Sequence, residues 1–403
     1  MNTNTADSLR ITSHDEAVEA AGRLAEQLAV EAISRDRTGG VSESASSLLD
    51  LSGLLSLTIP RELGGADLSS VTIAAVVATV AAADPSTAQL LQPHYSMLDA
   101  LRAAGTLEQQ EYIFAEVSKG ARIGGAVAER GGQHGHAFAA RLSTGPAGLT
   151  LDGTKYYCTG AATAGLLAVV AHDERERRAL AFVPTSACGI EILDDWAGFG
   201  QRGTMSGTTV FTGVGADPDL VLDYESIFAR PQAVGARAQL IHAAIEVGIA
   251  RGALTDARDF VRTSARPSFE AVRSGWAKSA AEDPYTVVRI GKLSSHVAAA
   301  EHLLAAAAAE VAHTPLLVDT ESVAAHTSVM VAQAKSFACE VAVSVASELF
   351  ALSGAGATDG RHALDRHWRN ASTHSAHDSI DWKHHHIGAY LLSGTVPPNH
   401  GQI

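Results

Sequence analysis

Residues 12–119 are dominated by Ala, Leu, Glu and Val in long helical stretches. Pro and Gly fall at breaks such as Ile59-Pro60-Arg61-Glu62-Leu63-Gly64-Gly65. Ser69 and Ser70 are placed to cap a helix over 71–83, and Asp84-Pro85 ends it, because a residue before proline is driven out of helical conformation. Near Ala121 the pattern changes to short β-branched and aromatic runs broken by Gly, Asp and Pro. Leu149-Thr150-Leu151 reads as a strand turning through Asp152-Gly153 into Lys155-Tyr156-Tyr157-Cys158-Thr159, and further strands are expected over 166–171, 179–183 and 208–212. Close-spaced short strands predict a small antiparallel barrel or sandwich. From Pro231 onward apolar residues again recur at three and four, as in Leu240-Ile241-Ala244-Val247-Gly248, in Val287-Ile290-Leu293-Val297 and over 329–352. This predicts four long helices in an antiparallel bundle. The expected chain is therefore mainly α with a central β domain: a helical domain over 1–119, an antiparallel β domain over 120–230, and a four-helix bundle with a polar tail over 231–403.

At 403 residues and 46% apolar composition the chain is long enough for more than one core, since single cores rarely grow beyond about 250–300 residues. A formal charge of −14 argues against nucleic acid and anionic membranes as partners, because binding either requires concentrated Lys and Arg. Small molecules are the expected partners. Cys158, Cys188 and Cys339 lie far apart without CxxC spacing, so neither a disulfide framework nor a thiolate metal site is expected, and a reducing cytoplasm fits. Residues 1–10 are polar, lack the layout of a signal peptide, and read as a frayed tail. The alanine-rich run 297–311 is interrupted by Glu301, His302 and Glu310 and reads as a bundle helix rather than a membrane span.

The densest chemistry lies in the tail, Asp365-Arg366-His367-Trp368-Arg369-Asn370-Ala371 followed by Thr373-His374-Ser375-Ala376-His377-Asp378, in a chain only 18% charged. Ile59-Pro60 with Gly64-Gly65-Ala66, Ala83-Asp84-Pro85-Ser86 and Leu151-Asp152-Gly153-Thr154-Lys155 resemble the N-terminal and middle domains of acyl-CoA dehydrogenases. Ala128-Glu129-Arg130-Gly131, Tyr157-Cys158-Thr159-Gly160, Asp195-Trp196 with Gly198-Phe199-Gly200-Gln201-Arg202, Glu282-Asp283-Pro284-Tyr285 and above all the tail narrow the resemblance. They are similar to the reduced-flavin-dependent monooxygenases of that fold, the group that includes dibenzothiophene monooxygenases and sulfur-acquisition oxidoreductases.

The resemblance implies a two-component enzyme. A separate NAD(P)H:flavin reductase supplies reduced FMN or FAD, O2 is the co-substrate, and a C4a-(hydro)peroxyflavin oxygenates a small apolar or aromatic molecule. Organosulfur is favoured, with indole or an amine as other substrates, and a homotetramer is implied. In such a reaction the hard chemistry is the cofactor's, and the protein supplies position, a dry pocket and a few hydrogen bonds. His377 is the first candidate, as a histidine titrating near neutral pH that delivers a proton to the distal peroxide oxygen or hydrogen-bonds the hydroperoxide, set against the structural role a lone histidine more often has. Thr159 offers a hydroxyl where relatives carry a serine, and His94 in Gln92-Pro93-His94-Tyr95 matches a histidine at the pocket wall; structural roles compete with both, strand propensity for Thr159 and backbone hydrogen bonding for His94. The pocket itself is expected to be lined by His94, Leu98, Trp196 and Phe199.

Flavin binding is expected from Glu129, Tyr157, Thr159, Trp196 and His374. Arg262 and Arg266 are candidates for the phosphate, since guanidinium offers paired donors, set against a reading as solvated helix-end charges. Gly354 and Gly356 form a turn whose backbone N–H groups are candidates to approach the phosphate of a neighbouring subunit, although its spacing is not a Rossmann fingerprint. His384-His385-His386 cannot all face one ion, because consecutive helical residues point about 100° apart, and no metal is expected. An acyl-CoA dehydrogenase is the alternative. It needs a carboxylate base over the flavin, yet Arg369-Asn370 stands where dehydrogenases carry arginine then aspartate, and no bundle glutamate suggests itself. A scaffold that lost its cofactor would have no reason to keep so many costly polar groups in the tail.

Overall fold

The computed structural model describes residues 11–40, 42–131, 138–146 and 148–403, so the expected frayed tail at 1–10 lies outside the described residues. The first domain comprises α1 (His14–Thr38), α2 (Glu43–Asp50), α3 (Ser70–Ala83), α4 (Pro85–Gln89), α5 (Leu91–Ala104) and α6 (Leu107–Ser118). Ser69 is the N-cap residue of α3, but its side chain makes no capping bond. Asp84 separates α3 from α4: its extended backbone stops one helix before Pro85, and its carboxylate accepts the Thr87 N–H at 3.0 Å to start the next.

The strands are β1 (Ile123–Ala126), β2 (Arg141–Gly145), β3 (Gly148–Lys155), β4 (Leu166–His172), β5 (Arg178–Pro184), β6 (Ile190–Ile192), β7 (Thr209–Gly215) and β8 (Val221–Leu222). They form one sheet in the order β6-β7-β3-β2-β4-β5-β8, with β1 paired to β4. The expectation of an antiparallel domain is corrected, because β1 and β2 both pair with β4 in parallel. Parallel neighbours are joined by crossovers rather than hairpins, and short strand signals do not reveal which is used. Asp152-Gly153 is likewise not a turn. β3 runs through both residues, and the register against β7 shifts there. Gly153, at φ 148°, carries the bulge, and a Cβ at this position would stand 2.5 Å from that of Ala140.

The last domain comprises α7 (Glu225–Phe228), α8 (Val234–Thr263), α9 (Phe269–Arg273), α10 (Pro284–His313), α11 (Glu321–Ser353), α12 (Asp365–Ser375) and α13 (Ile380–Ser393). Only three of the four expected long helices are present. The fourth is split into α12 and α13, with Ser379 restarting the chain as an N-cap that accepts the Trp382 N–H. α8 is the central post, packed between α3 and α11. Gly248 and Gly252 let α3 close on it, since a Cβ at either would fall 2.5 Å from Ala81 Cβ or 2.4 Å from Ala82 O. The 297–311 run lies in α10, as expected, and buries Val297, Ala300, Leu304, Ala307, Ala308 and Val311. Among the described residues one helix, α11, is long and apolar enough to cross a membrane, and 56% of its apolar window is buried against the rest of the chain. All three cysteines are free thiols.

Candidate active site

α12 lies along α8 in the opposite direction, and polar residues spaced along the two helices meet pairwise. Arg366 and His367 both bond Asp256, at 2.5 and 2.7 Å. One α-helical stretch on, Glu246 Oε1 accepts the His374 Nδ1–H at 2.8 Å and the Ser375 hydroxyl at 3.0 Å. His374 Nε2 faces His242 Nδ1 and the Gln89 side-chain oxygen, each at 3.1 Å. The His242 ring then lies 4.3 Å from that of His377, tilted by 36°. Glu246, His374, His242 and His377 thus form a continuous row.

A charged group underlies the end of this row. Lys335, from the middle of apolar α11 and 1% exposed, donates to Gln239 Oε1 and Asp378 Oδ1, both at 2.6 Å. Lys383 Nζ stands 3.1 Å from Asp378 Oδ2 and donates to Gln402 O at 2.7 Å. Burial would raise the Asp378 carboxyl, but the two ammonium groups hold it down at about 2. Burial and then Lys335 bring Lys383 down to about 8. Burial pushes His242 well below the ordinary histidine range, helped by His377 and Lys335. His377 itself is exposed to solvent at the end of the row. The surrounding protein first, and the Lys335 charge next, push it down to about 3. Because His377 is exposed, solvent weakens the first of these causes and the Lys335 charge remains the firmer one; both lower the group from its ordinary value, which favours a neutral imidazole able to offer one N–H and accept at the other nitrogen.

The strand domain reaches the same helix through a different set of bonds. Thr159 Oγ1 and Ser206 Oγ lie 2.7 Å apart, Ser206 Oγ lies 2.9 Å from Thr204 Oγ1, and Thr204 donates to Gln201 O at 2.8 Å. The Trp196 indole N–H also donates to Gln201 O, at 2.9 Å. Gln201 N–H donates to Asn370 Oδ1 on α12. Beside it, Phe199 stacks on Trp368 at 5.8 Å and its carbonyl accepts from Arg369 at 3.0 Å. Tyr157, left-handed at φ 57° and exposed, sets its ring edge-on to Trp196.

Two expectations do not survive. His94 is wholly buried; its Nε2–H donates to Leu55 O at 2.8 Å and its Nδ1 accepts the Ile123 N–H at 3.1 Å. Both ring nitrogens are committed to backbone, and burial lowers the group to about 4, so it straps the helical domain to β1 rather than walling a pocket. Leu98 is in the same core, whereas Trp196 and Phe199 line an open cleft with Asp36, Arg202 and Arg369; the four residues do not share one pocket. The Glu129 carboxylate pairs with buried Lys155 at 2.6 Å and accepts the Ala139 and Ala140 N–H groups, which leaves the backbone around it as the part that could meet a flavin.

Arg262, Arg266, Gly354 and Gly356 gather at the far end of the bundle, where Phe260 adjoins the Gly356 backbone. Sixteen residues of α8 separate Arg262 from Glu246, about 24 Å at ~1.5 Å per residue. His384 faces Glu340 on α11, while His385 and His386 pack on Trp382 with their rings 5.5 Å apart, so the three do not share one direction. Sequence reading missed His242, Glu246 and Lys335. Their signal was present, since each is an ionisable residue inside an otherwise apolar helical run, which is affordable only with a buried partner. The expectation of no suitable glutamate in the bundle is qualified by Glu246, yet its Oε1 is already taken by His374 and Ser375.

The seam also fits a flat ligand with donors and acceptors along its edge. Both side-chain polar atoms of buried Gln201 and the Thr373 hydroxyl have no hydrogen-bond partner, and native proteins rarely leave such groups unmet.

A helical domain, a mixed sheet and a bundle, with a polar row between α8 and α12 and a seam where the Trp196–Gln201 loop meets α12, have the layout of the acyl-CoA dehydrogenase fold. Residues 12–121 match the family model for the acyl-CoA dehydrogenase N-terminal domain and residues 240–382 that for the C-terminal domain. The chain is 34% identical to a dibenzothiophene monooxygenase of Rhodococcus erythropolis, over 96% of each chain. It is 30% identical to a probable FMNH2-dependent monooxygenase, SfnC, of Pseudomonas putida, over 94% of this chain and 95% of that one. FMN-bound TdsC from Paenibacillus sp. A11-2 superposes with a TM-score of 0.90 at 29% identity, covering 96% of this chain and all of that one. The chain belongs to the flavin-dependent monooxygenases of the acyl-CoA dehydrogenase fold, and it is an oxidoreductase.

Proposed function

We infer that the enzyme takes reduced FMN from a separate NAD(P)H:flavin reductase and, with O2, oxygenates a small aromatic or sulfur-bearing molecule. The observation that carries this reading is the convergence on α12 of the Thr159–Ser206–Thr204 hydroxyl chain, through Gln201 and Asn370, and the His374–His242–His377 row. Bound reduced flavin supplies the electrons and the position at which O2 reacts. Thr159 holds a hydroxyl at the seam, and His377, as a neutral imidazole, holds a proton at one nitrogen and receives one at the other. Trp196, Tyr157 and Phe199 supply aromatic surface for an apolar substrate and limit water. A relative named as FMNH2-dependent and TdsC structures holding FMN and indole support FMN over FAD and an aromatic substrate. Dibenzothiophene is the first organosulfur compound to try.

Arg262, Arg266 and the Gly354–Gly356 turn lie too far along the bundle to meet a flavin seated at His377 of the same chain; in the homotetramer that the family resemblance implies, they would serve a neighbouring copy. The exposed apolar residues Tyr285, Val287 and Val288 of α10 and Leu391 and Leu392 of α13 offer surface for such contacts. A cytoplasmic location, where thiols stay reduced, completes the reading.

The test is to mix the protein with anaerobically reduced FMN, then with 18O2 and dibenzothiophene or indole. Flavin reoxidation slower than that of free FMN, with one labelled oxygen in the product, is expected. Reoxidation at the free-flavin rate without label, together with ferricenium reduction by an acyl-CoA, would replace the monooxygenase reading by a dehydrogenase.

A further inference from the structure

The lysine pair beneath the His377–Asp378 turn has no role in the function inferred above. Lys335 sits in the middle of a 33-residue helix whose neighbours are Val331, Ala332, Ala334, Ala338 and Cys339, all buried. Burying an ammonium group there is costly unless it is paired and bonded. Its partners are specific: Gln239 from α8 on one side and Asp378 from the α12–α13 turn on the other, both at 2.6 Å. Asp378 also faces Lys383 from α13. Two cations thus share one carboxylate, leaving one buried positive charge beyond what neutralising Asp378 requires.

That excess charge lies next to the histidine row. The groups facing His377 are His242 and, further along, Glu246 from α8; Lys335 from α11, with Cys339 near Lys335 and Asp378; His374 from α12; Lys383 from α13; and Asp378 from its own turn. Cys339 stays a thiol, because burial and the Glu246 carboxylate push it well above its ordinary value. Lys335 and Lys383 are both enclosed and both face Asp378, the residue adjoining His377, but Lys335 makes the shorter contact, at 2.6 Å against 3.1 Å, and ties Asp378 to Gln239 of α8. We propose that Lys335 is a positioning residue for oxygenation: through Asp378 it fixes the turn that carries the His377 ring, and its charge keeps that ring in the neutral form the reaction uses. The proposal rests on the assignment of His377 as the proton-holding group at the seam.

Removing Lys335 is mild for the fold, since Lys335→Met leaves Asp378 and Lys383 as a matched pair, while Lys335→Arg keeps the charge. Product formed per flavin oxidised is measured from about pH 5 to 8, across the ordinary histidine range, with reduced FMN, O2 and indole or dibenzothiophene. The wild type is expected to be flat across this range. Lys335→Met is expected to gain an acid limb that begins below the ordinary histidine pKa of about 6.5, because the enclosure that is the larger cause of the lowering remains, with coupling at pH 5 no more than about half that at pH 8, and Lys335→Arg to restore the flat profile. A uniform loss at every pH, equal in Met and Arg variants, would mean Lys335 only supports the fold and would overturn the proposal. If Lys335→Met does not fold, Lys383→Met leaves the Lys335–Asp378 pair intact while also removing the excess charge, and is expected to show the same limb; a flat profile there overturns the charge role. His377→Phe separates the two levels. If it retains full coupling, the His377 assignment falls and the proposal with it; if it loses coupling while Lys335→Met stays flat, only the Lys335 proposal falls.

Discussion

Asn370 on α12 accepts the main-chain N–H of Gln201 at 2.6 Å, joining two segments that lie 169 residues apart in the chain. Around that bond the loop from Trp196 to Gln201 and the helix from Arg366 to His374 interlock. Gly200 is the tightest point, since a Cβ there would stand 1.9 Å from Arg369 O and 2.7 Å from the Thr373 hydroxyl.

Gly200→Ala is therefore expected to push the loop off α12, disrupting the Gln201–Asn370 bond and the Phe199–Trp368 stack together. A loss of about 1–3 kcal/mol is expected, typical of forcing an extra carbon into a packed site, with at least about tenfold weaker FMN binding for the same displacement. Denaturant melts and flavin fluorescence titration check both. Tight flavin binding in Gly200→Ala would show that the seam does not hold the cofactor.

His377→Phe is expected to lower oxygenated product by about 10²-fold, the ordinary size of a lost proton-handling group, while reduced flavin is still consumed by O2. Hydrogen peroxide measured against product distinguishes this uncoupling from a failure to bind flavin.

Thr159→Val removes the first hydroxyl of the chain that runs through Ser206 and Thr204 to Gln201. Product formation is expected to fall about 10- to 100-fold, on the scale of one or two hydrogen bonds made in the transition state. Thr159→Ser keeps the hydroxyl and is expected to stay within a few-fold of wild type. Equal losses in both variants would assign Thr159 to packing.

His94→Leu is expected to act on stability. It leaves Leu55 O and the Ile123 N–H without partners in a dry core, at about 2–4 kcal/mol for the two groups. Turnover per folded molecule should be unchanged, and a chemical denaturation curve paired with an activity titration reads both quantities.

Acid sensitivity follows from the same burial. His94 and His242 are held neutral in the folded chain, below the unfolded value of 6.5. Between those values the unfolded chain binds more protons than the folded one. Stability is therefore full above about pH 6.5 and falls as pH drops, by about 1.4 kcal/mol per pH unit for each such histidine. The His94 contribution levels off near its folded value of about 4. His94→Leu should lose one proton's worth of this slope between pH 6 and about 4.5.

Much of the architecture and several site residues were legible in the sequence because they are carried by local chemistry. Helical periodicity and the Asp84-Pro85 stop placed α3, α8 and α11, and the tail of Arg, Trp, Asn and His residues singled out α12 as the candidate for function. Asp152-Gly153 misled, because the same pair makes a hairpin turn or a bulge according to whether a partner strand continues past it, and here β7 does. The parallel pairing of β1 with β4 and the split of the last helix were hidden for the same reason: neither is decided by neighbours in sequence.

What the sequence determined by itself was which segments are helix or strand, where charge is scarce, and that the tail holds more polar chemistry than a surface helix needs. What only the tertiary structure decided was which of those groups are free to act. His94 and Glu129 are consumed by backbone groups and Lys155, Arg262 and Arg266 lie at the far end of α8, and His242, Glu246 and Lys335 are drawn into the site. A side chain's ionisation and availability depend on what encloses it and which charges lie within a few ångströms. Those distances are set by helices packing across the chain, not by residues adjacent along it.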